Sequence, residues 1–164
     1  MNNRSVARLG LILALALILS YVESLIPFAF GIPGMKLGLP NLAVVIALYL
    51  FGWKWALTVN VLRIILSGFL FGNMFGIIYS LAGALTSFVI MLLVRRIDIF
   101  SIRGVSICGA VSHNIAQLLT AAILMETAGI LYYAPFLLAA GVVTGLIIGI
   151  ASEGTLRIVG RLGQ

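Results

Sequence analysis

Charge is what this chain has least of. Only 9% of its 164 residues are Asp, Glu, Lys or Arg, against 63% that are hydrophobic, and mean hydropathy is +1.25. Soluble domains carry roughly a quarter charged residues. A water-exposed exterior is therefore excluded, and the chain reads as an integral membrane protein. Carboxylates are scarcer still: Glu23, Asp98, Glu126 and Glu153 are the full set. None neighbours another in sequence, which leaves no evident acid/base pair and no Mg²⁺ site. A single cysteine, Cys108, excludes an intramolecular disulfide, and with a single histidine, His113, there is no Cys/His metal spacing. Neither a metal nor a cofactor is indicated. A glycine-rich phosphate loop is also missing, so ATP is not hydrolysed by that route. Ser112 adjoins His113 but occupies a different helix face, so no nucleophile–base pair forms. The chain does not read as an enzyme.

What charge there is leans one way: ten Lys and Arg give a net +6 and a pI near 10.1. In a soluble protein this balance would suggest nucleic acid. Here the basic residues flank apolar runs, as membrane topology demands, and nucleic acid is set aside. A span needs about 20 apolar residues. Breaks at Gly, Pro and polar clusters divide the chain into spans at about 6–26, 39–51, 53–70, 74–94, 104–125 and 133–159, all in one domain, 1–164. The first run follows Arg4 and Arg8 as a signal peptide would, but it continues to Ile26 without a small-residue cleavage site and reads as a retained helix. Pro27–Pro40 holds three of the four prolines and three glycines, the composition of a loop. Span 2 is short, with Pro40 in its first turn, where a missing N–H costs little.

With the N-terminus in the cytoplasm, the inner side collects Arg4, Arg8, Lys54, Arg95, Arg96, Arg103, Arg157 and Arg161, and the outer side only Lys36. The positive-inside rule then places both termini in the cytoplasm. The expected fold is an all-α, six-helix transmembrane bundle.

Arg63 belongs to no loop. An ionisable group at mid-helix costs at least ~2.5–3.5 kcal/mol on insertion scales, so it persists when it faces a partner or a cavity. Arg63 lies roughly 15 Å from the inner end of span 3, and His113 and Gln117 roughly 14 and 20 Å up span 5. Asn60, Arg63 and Ser67 share one face of span 3 at i, i+3, i+7. His113, Gln117 and Thr120 share one face of span 5, with Asn114 to the side. Two polar stripes at one depth predict a wet pocket between them, closed from above by the outer loop, with Lys36 and Asn41 beside it. A different reading pairs Arg63 with Glu23 as an interhelical strut, hydrogen-bonds His113 to a backbone carbonyl, and uses Asn60, Asn114 and Gln117 to join helices. Arginine and lysine without surplus carboxylates suit an anionic or strongly polar ligand. On span 1, Gly10 with Ala14 and Ala16 with Ser20 are small-xxx-small pairs, which permit close packing within the bundle or docking of a partner.

At GMKLGLPNLAVVIALYLFGW (Gly34–Trp53) and GVSICGAVSHNIAQL (Gly104–Leu118) the chain resembles the bacterial Gx transporters, also described as heptaprenyl diphosphate synthase component I. That family is similar to the substrate-binding S-components of energy-coupling factor (ECF) transporters. These are six-helix bundles that hold a vitamin-like ligand under the loop between helices 1 and 2. The resemblance implies a bacterial cytoplasmic membrane protein with an S-component-like fold. Pro27–Gly38 would be the gating loop. Lys36, Asn41, Asn60, Arg63, His113, Asn114 and Gln117 would line the site for a vitamin-like, flavin-like or isoprenoid-related molecule. Gly10, Ala14, Ala16 and Ser20 would dock a coupling membrane subunit joined to two ATPases. The family's enzymatic description implies an alternative: a non-catalytic membrane component of heptaprenyl diphosphate synthesis, the quinone side chain. Chain-elongating prenyl synthases hold Mg²⁺–diphosphate on aspartate-rich motifs, and Asp98 is the sole aspartate here.

Overall fold

A computed structural model describes residues 3–26 and 38–162, so most of the loop expected to close the pocket, Lys36 included, lies outside the described residues, as do the side chains of Arg4 and Arg161. The described chain is helical throughout. Its elements are α1 (Asn3–Leu25), α2 (Leu39–Leu50), α3 (Trp53–Phe71), α4 (Met74–Arg95) and α5 (Ile102–Leu124), then a 3₁₀ helix (Ala128–Tyr133) that leads into α6 (Ala134–Leu162). The exterior is apolar: Leu11, Phe69, Ile123 and Ile147 are each more than 60% exposed, a surface that fits hydrocarbon rather than water. In hydrocarbon the backbone must satisfy its own polar groups, and continuous helices do so. Side-chain caps start two of them. Asn73 Oδ1 accepts the Gly76 amide at 2.7 Å, and Ser101 Oγ accepts that of Gly104 at 3.4 Å, each satisfying a donor that the first turn leaves open.

The expected six spanning helices need one correction. Among the described residues five helices are long and apolar enough to cross a membrane, whereas α2 has 12 residues. At 1.5 Å per residue it is about 18 Å long, well short of a hydrocarbon core of about 30 Å. Its burial explains its composition. Every residue from Ala43 to Leu48 is buried, so α2 is apolar all round because it is surrounded all round. Ile12 and Ala16 of α1, Ala56 and Val59 of α3, Phe88 and Met91 of α4, Val105 of α5 and Ile148 of α6 share its core. Span 6 starts within one residue of its expected position, at Ala134, after Ala128–Tyr133 winds as a 3₁₀ turn.

Lipid tails are as apolar as leucine, so helix association in a membrane depends on close packing more than on expelling water. Packing between α5 and α6 shows how small residues supply it. A Cβ placed on Gly145 would lie 2.7 Å from the Ile107 Cα, so the two backbones meet only because that position has no side chain. At one end of the bundle the helix termini are tied by cations. Arg95, closing α4, donates to the Leu48 carbonyl of α2 at 2.9 Å. Glu153 of α6 accepts from Arg103 of α5 at 2.6 Å and also from Arg157. Lys54, Arg95, Arg96, Arg103 and Arg157 gather at this end, where α2, α4 and α6 finish and α3 and α5 begin.

Candidate functional site

Asn41, Asn60 and Arg63 converge. Asn41 stands in the first turn of α2, and Asn60 and Arg63 lie one turn apart on α3. Counting from the cationic end, Asn41 is about 14 Å up α2 and Arg63 about 15 Å up α3. Arg63 Nε and Nη2 donate to Asn60 Oδ1 at 3.1 and 3.0 Å, and Nη2 donates to Asn41 Oδ1 at 3.1 Å. Asn60 and Arg63 are buried, at 2% and 8% exposure. Both acceptors are neutral amides, so they orient the guanidinium without cancelling its charge. Among the described residues, Arg63 Nη1 takes no hydrogen bond.

The carboxylate that acts on Arg63 does so through space. Glu23, near the end of α1, interacts with Arg63 electrostatically, while its Oε1 accepts the backbone amides of Gly38 and of Leu39, the latter at 3.2 Å. The strut reading changes accordingly. Arg63 and Glu23 do not hydrogen-bond; each holds the start of α2. Gly38 has φ +73°, a left-handed conformation that glycine adopts without steric cost, and no side chain at that cap supplies an acceptor. Glu23 provides it from another helix. Sequence reading missed this role, although a carboxylate at the end of span 1, facing a helix start that lacks a cap residue, was the available signal.

The second stripe divides between two neighbours. His113 and Gln117 pack against α4 at Gly83, where a Cβ would stand 2.7 Å from Gln117 Cγ and 2.9 Å from His113 Cε1. Gln117 is 3% exposed and its Nε2 has no hydrogen-bond partner among the described residues. Asn114 turns toward α6 and donates from Nδ2 to the Leu137 carbonyl at 2.8 Å. Thr120 and Ser67 bond back to carbonyls of their own helices. The main packing partners of α3 are α1, α2 and α4, and those of α5 are α4, α6 and the 3₁₀ helix. The two stripes therefore do not meet through packed backbone; α4 contacts both helices that carry them.

The small residues of α1 also separate. Ala16 is fully buried and Ser20, 8% exposed, donates to the Ala16 carbonyl at 2.8 Å, so both belong to internal packing. Gly10 and Ala14 face outward, and a Cβ on Gly10 would meet nothing within 4 Å. No group of three or more metal-ligating side chains occurs among the described residues.

The protein family described as heptaprenyl diphosphate synthase component I matches residues 12–155, which takes in all or most of every helix and all of the residues that converge here. No curated protein and no solved structure matches the chain.

Proposed function

The chain belongs to the heptaprenyl diphosphate synthase component I family, and from that premise we propose that it is a non-catalytic membrane component of heptaprenyl diphosphate synthesis which holds a small anionic or strongly polar molecule at Arg63. The supporting observation is the Arg63 cluster itself. A buried arginine oriented by two neutral amides, with Nη1 left over among the described residues, keeps its charge for a further acceptor. The carboxylates do not favour catalysis of chain elongation by this subunit. Four are spread over the whole chain, and Glu23 and Glu153 already hold backbone amides and arginines. In this reading a soluble catalytic partner meets the arginine-rich loop at Arg95–Arg103. The test is affinity capture of the detergent-solubilised chain with assay of prenyl chain elongation. Recovery of a synthase whose output rises on adding this chain supports the reading; capture of none, with no change in product, defeats it.

A second reading uses the same site with another partner. Asn41 and Gly38 put the cluster at the mouth of the α1–α2 connection, which favours a substrate-binding subunit of the S-component type, loaded under that loop and joined to a membrane coupling subunit and ATPases through Gly10 and Ala14. Capture of a membrane subunit with ATPases, in place of a soluble synthase, selects it. Under either reading the positive-inside distribution supports a cytoplasmic-membrane location with both termini inside.

A further inference from the structure

Far from the Arg63 cluster, at the cationic end, a groove of about 400 Å³ is lined by Trp53, Leu92, Arg95 and Arg96. Arg95 and Arg96 also begin the loop given above to a soluble partner, but neither proposed function assigns the groove a ligand. Trp53 opens α3 and Arg95 closes α4, so the groove lies where two apolar spans end. That is the depth at which tryptophan and arginine sit at a membrane–water boundary. Its walls differ in chemistry: Trp53 and Leu92 are apolar, while Arg95 and Arg96 are cationic.

The cations are poised for an anion. Arg95 is held in place by the Leu48 carbonyl and by the Tyr49 ring, 4.6 Å from its guanidinium carbon, so little ordering remains to be done on binding. Arg96 is exposed and makes no side-chain hydrogen bond or ion pair among the described residues. Lys54 lies over the Trp53 ring at 5.6 Å. α3 starts at Gly52 without a side-chain cap, which leaves the partial positive charge of a helix N-terminus on the same side. Asp98 is the acid nearest in sequence, and both ion pairs of the described residues go to Glu153 instead.

We propose that this groove binds the phosphate headgroup of an anionic phospholipid from the surrounding bilayer. Arg95 and Arg96 take the phosphate, and Trp53 and Leu92 cover the start of the acyl chains. Basic pockets between helices at a membrane surface bind such headgroups. The apolar half of the lining distinguishes this ligand from a free anion, which would leave Trp53 and Leu92 without a role. The proposal does not depend on either function above.

The test uses the full chain in nanodiscs on a Trp55→Phe background, which leaves Trp53 as the only tryptophan. Quenching of Trp53 by brominated phosphatidylglycerol is compared with quenching by brominated phosphatidylcholine. Phosphatidylglycerol is expected to be preferred. Arg96→Gln, which breaks no internal contact, is expected to reduce that preference about fivefold, the factor equivalent to roughly 1 kcal/mol for one basic residue at an anionic surface. Arg157→Gln, on α6, leaves it unchanged. Equal quenching by the two lipids, or a preference that survives Arg96→Gln, overturns the proposal. So does loss of quenching on adding inorganic diphosphate, which would make the groove a site for a free anion.

Discussion

Arg63 and Glu23 hold the same helix start: Arg63 donates to the Asn41 side chain at 3.1 Å, and Glu23 accepts the Leu39 amide at 3.2 Å. Opposite charges on two long helices thus fix the first turn of the short one. Whatever displaces Arg63 from Asn41, or Glu23 from Leu39, acts on α2 and the loop that precedes it.

Arg63→Lys separates charge from geometry. A lysine keeps the cation but cannot reach both amides with a planar fork. Hydrogen bonds to charged groups contribute about 1.5–3 kcal/mol each, so a drop of that order in detergent-phase thermal stability is expected. Faster hydrogen exchange at the α2 start should accompany it. Unchanged stability and exchange would show that Arg63 does not hold α2.

Gln117→Leu asks what the unpartnered amide is for. A buried polar group without a partner costs about 1–3 kcal/mol of desolvation. If Nε2 serves only packing, leucine is neutral or stabilising. If instead Gln117 lines a ligand site, as the family resemblance implies, the expected result is equal or higher melting temperature with weaker ligand retention. A variant that retains ligand as the parent does removes Gln117 from the site.

Gly145→Val and Gly10→Val should differ sharply. The first drives a side chain into the Ile107 backbone, and overpacking of this kind costs about 1–3 kcal/mol. The second meets open space and should change stability by less than about 0.5 kcal/mol. Partner capture that fails with Gly10→Val at full stability would mark that face of α1 as a docking surface; equal destabilisation by both would contradict the packing described.

Orientation is tested by thiol labelling. On a Cys108→Ala background, cysteines replacing Arg96 and Arg157 should react with an impermeant maleimide only after the membrane is opened. A cysteine at Thr127 should react from outside. The reverse pattern would place the cationic end outside and defeat the topology.

The helices were legible because hydrocarbon imposes a strong rule: long apolar runs, broken by Gly, Pro and charge, became α1, α3, α4, α5 and α6 within a few residues. α2 was recognised as short, but its burial on all sides depends on five neighbours that a single sequence does not reveal. Polar depth along a helix was legible too, but it matched Arg63 with His113 and Gln117, whereas the side chain that Arg63 reaches on another helix is Asn41. Direction around the helix was not. The phases of His113 and Gln117 gave their shared face, but the contact that receives it is Gly83, one of 18 glycines in the chain. Glu23 was read as a charge partner of Arg63, which it is through space, but pairing rules attend to side chains and did not reveal the backbone amides it also accepts.

In both functional readings Arg63 holds a ligand. The most direct measurement is mass spectrometry of small molecules that copurify with the full chain in mild detergent, for the parent and for Arg63→Gln, with thermal stability followed for both. A stoichiometric anionic or strongly polar compound, present in the parent and absent from a folded Arg63→Gln, is the predicted result. The same compound retained by both, or none in either, would contradict the claim and leave the cluster as a fastening for α2.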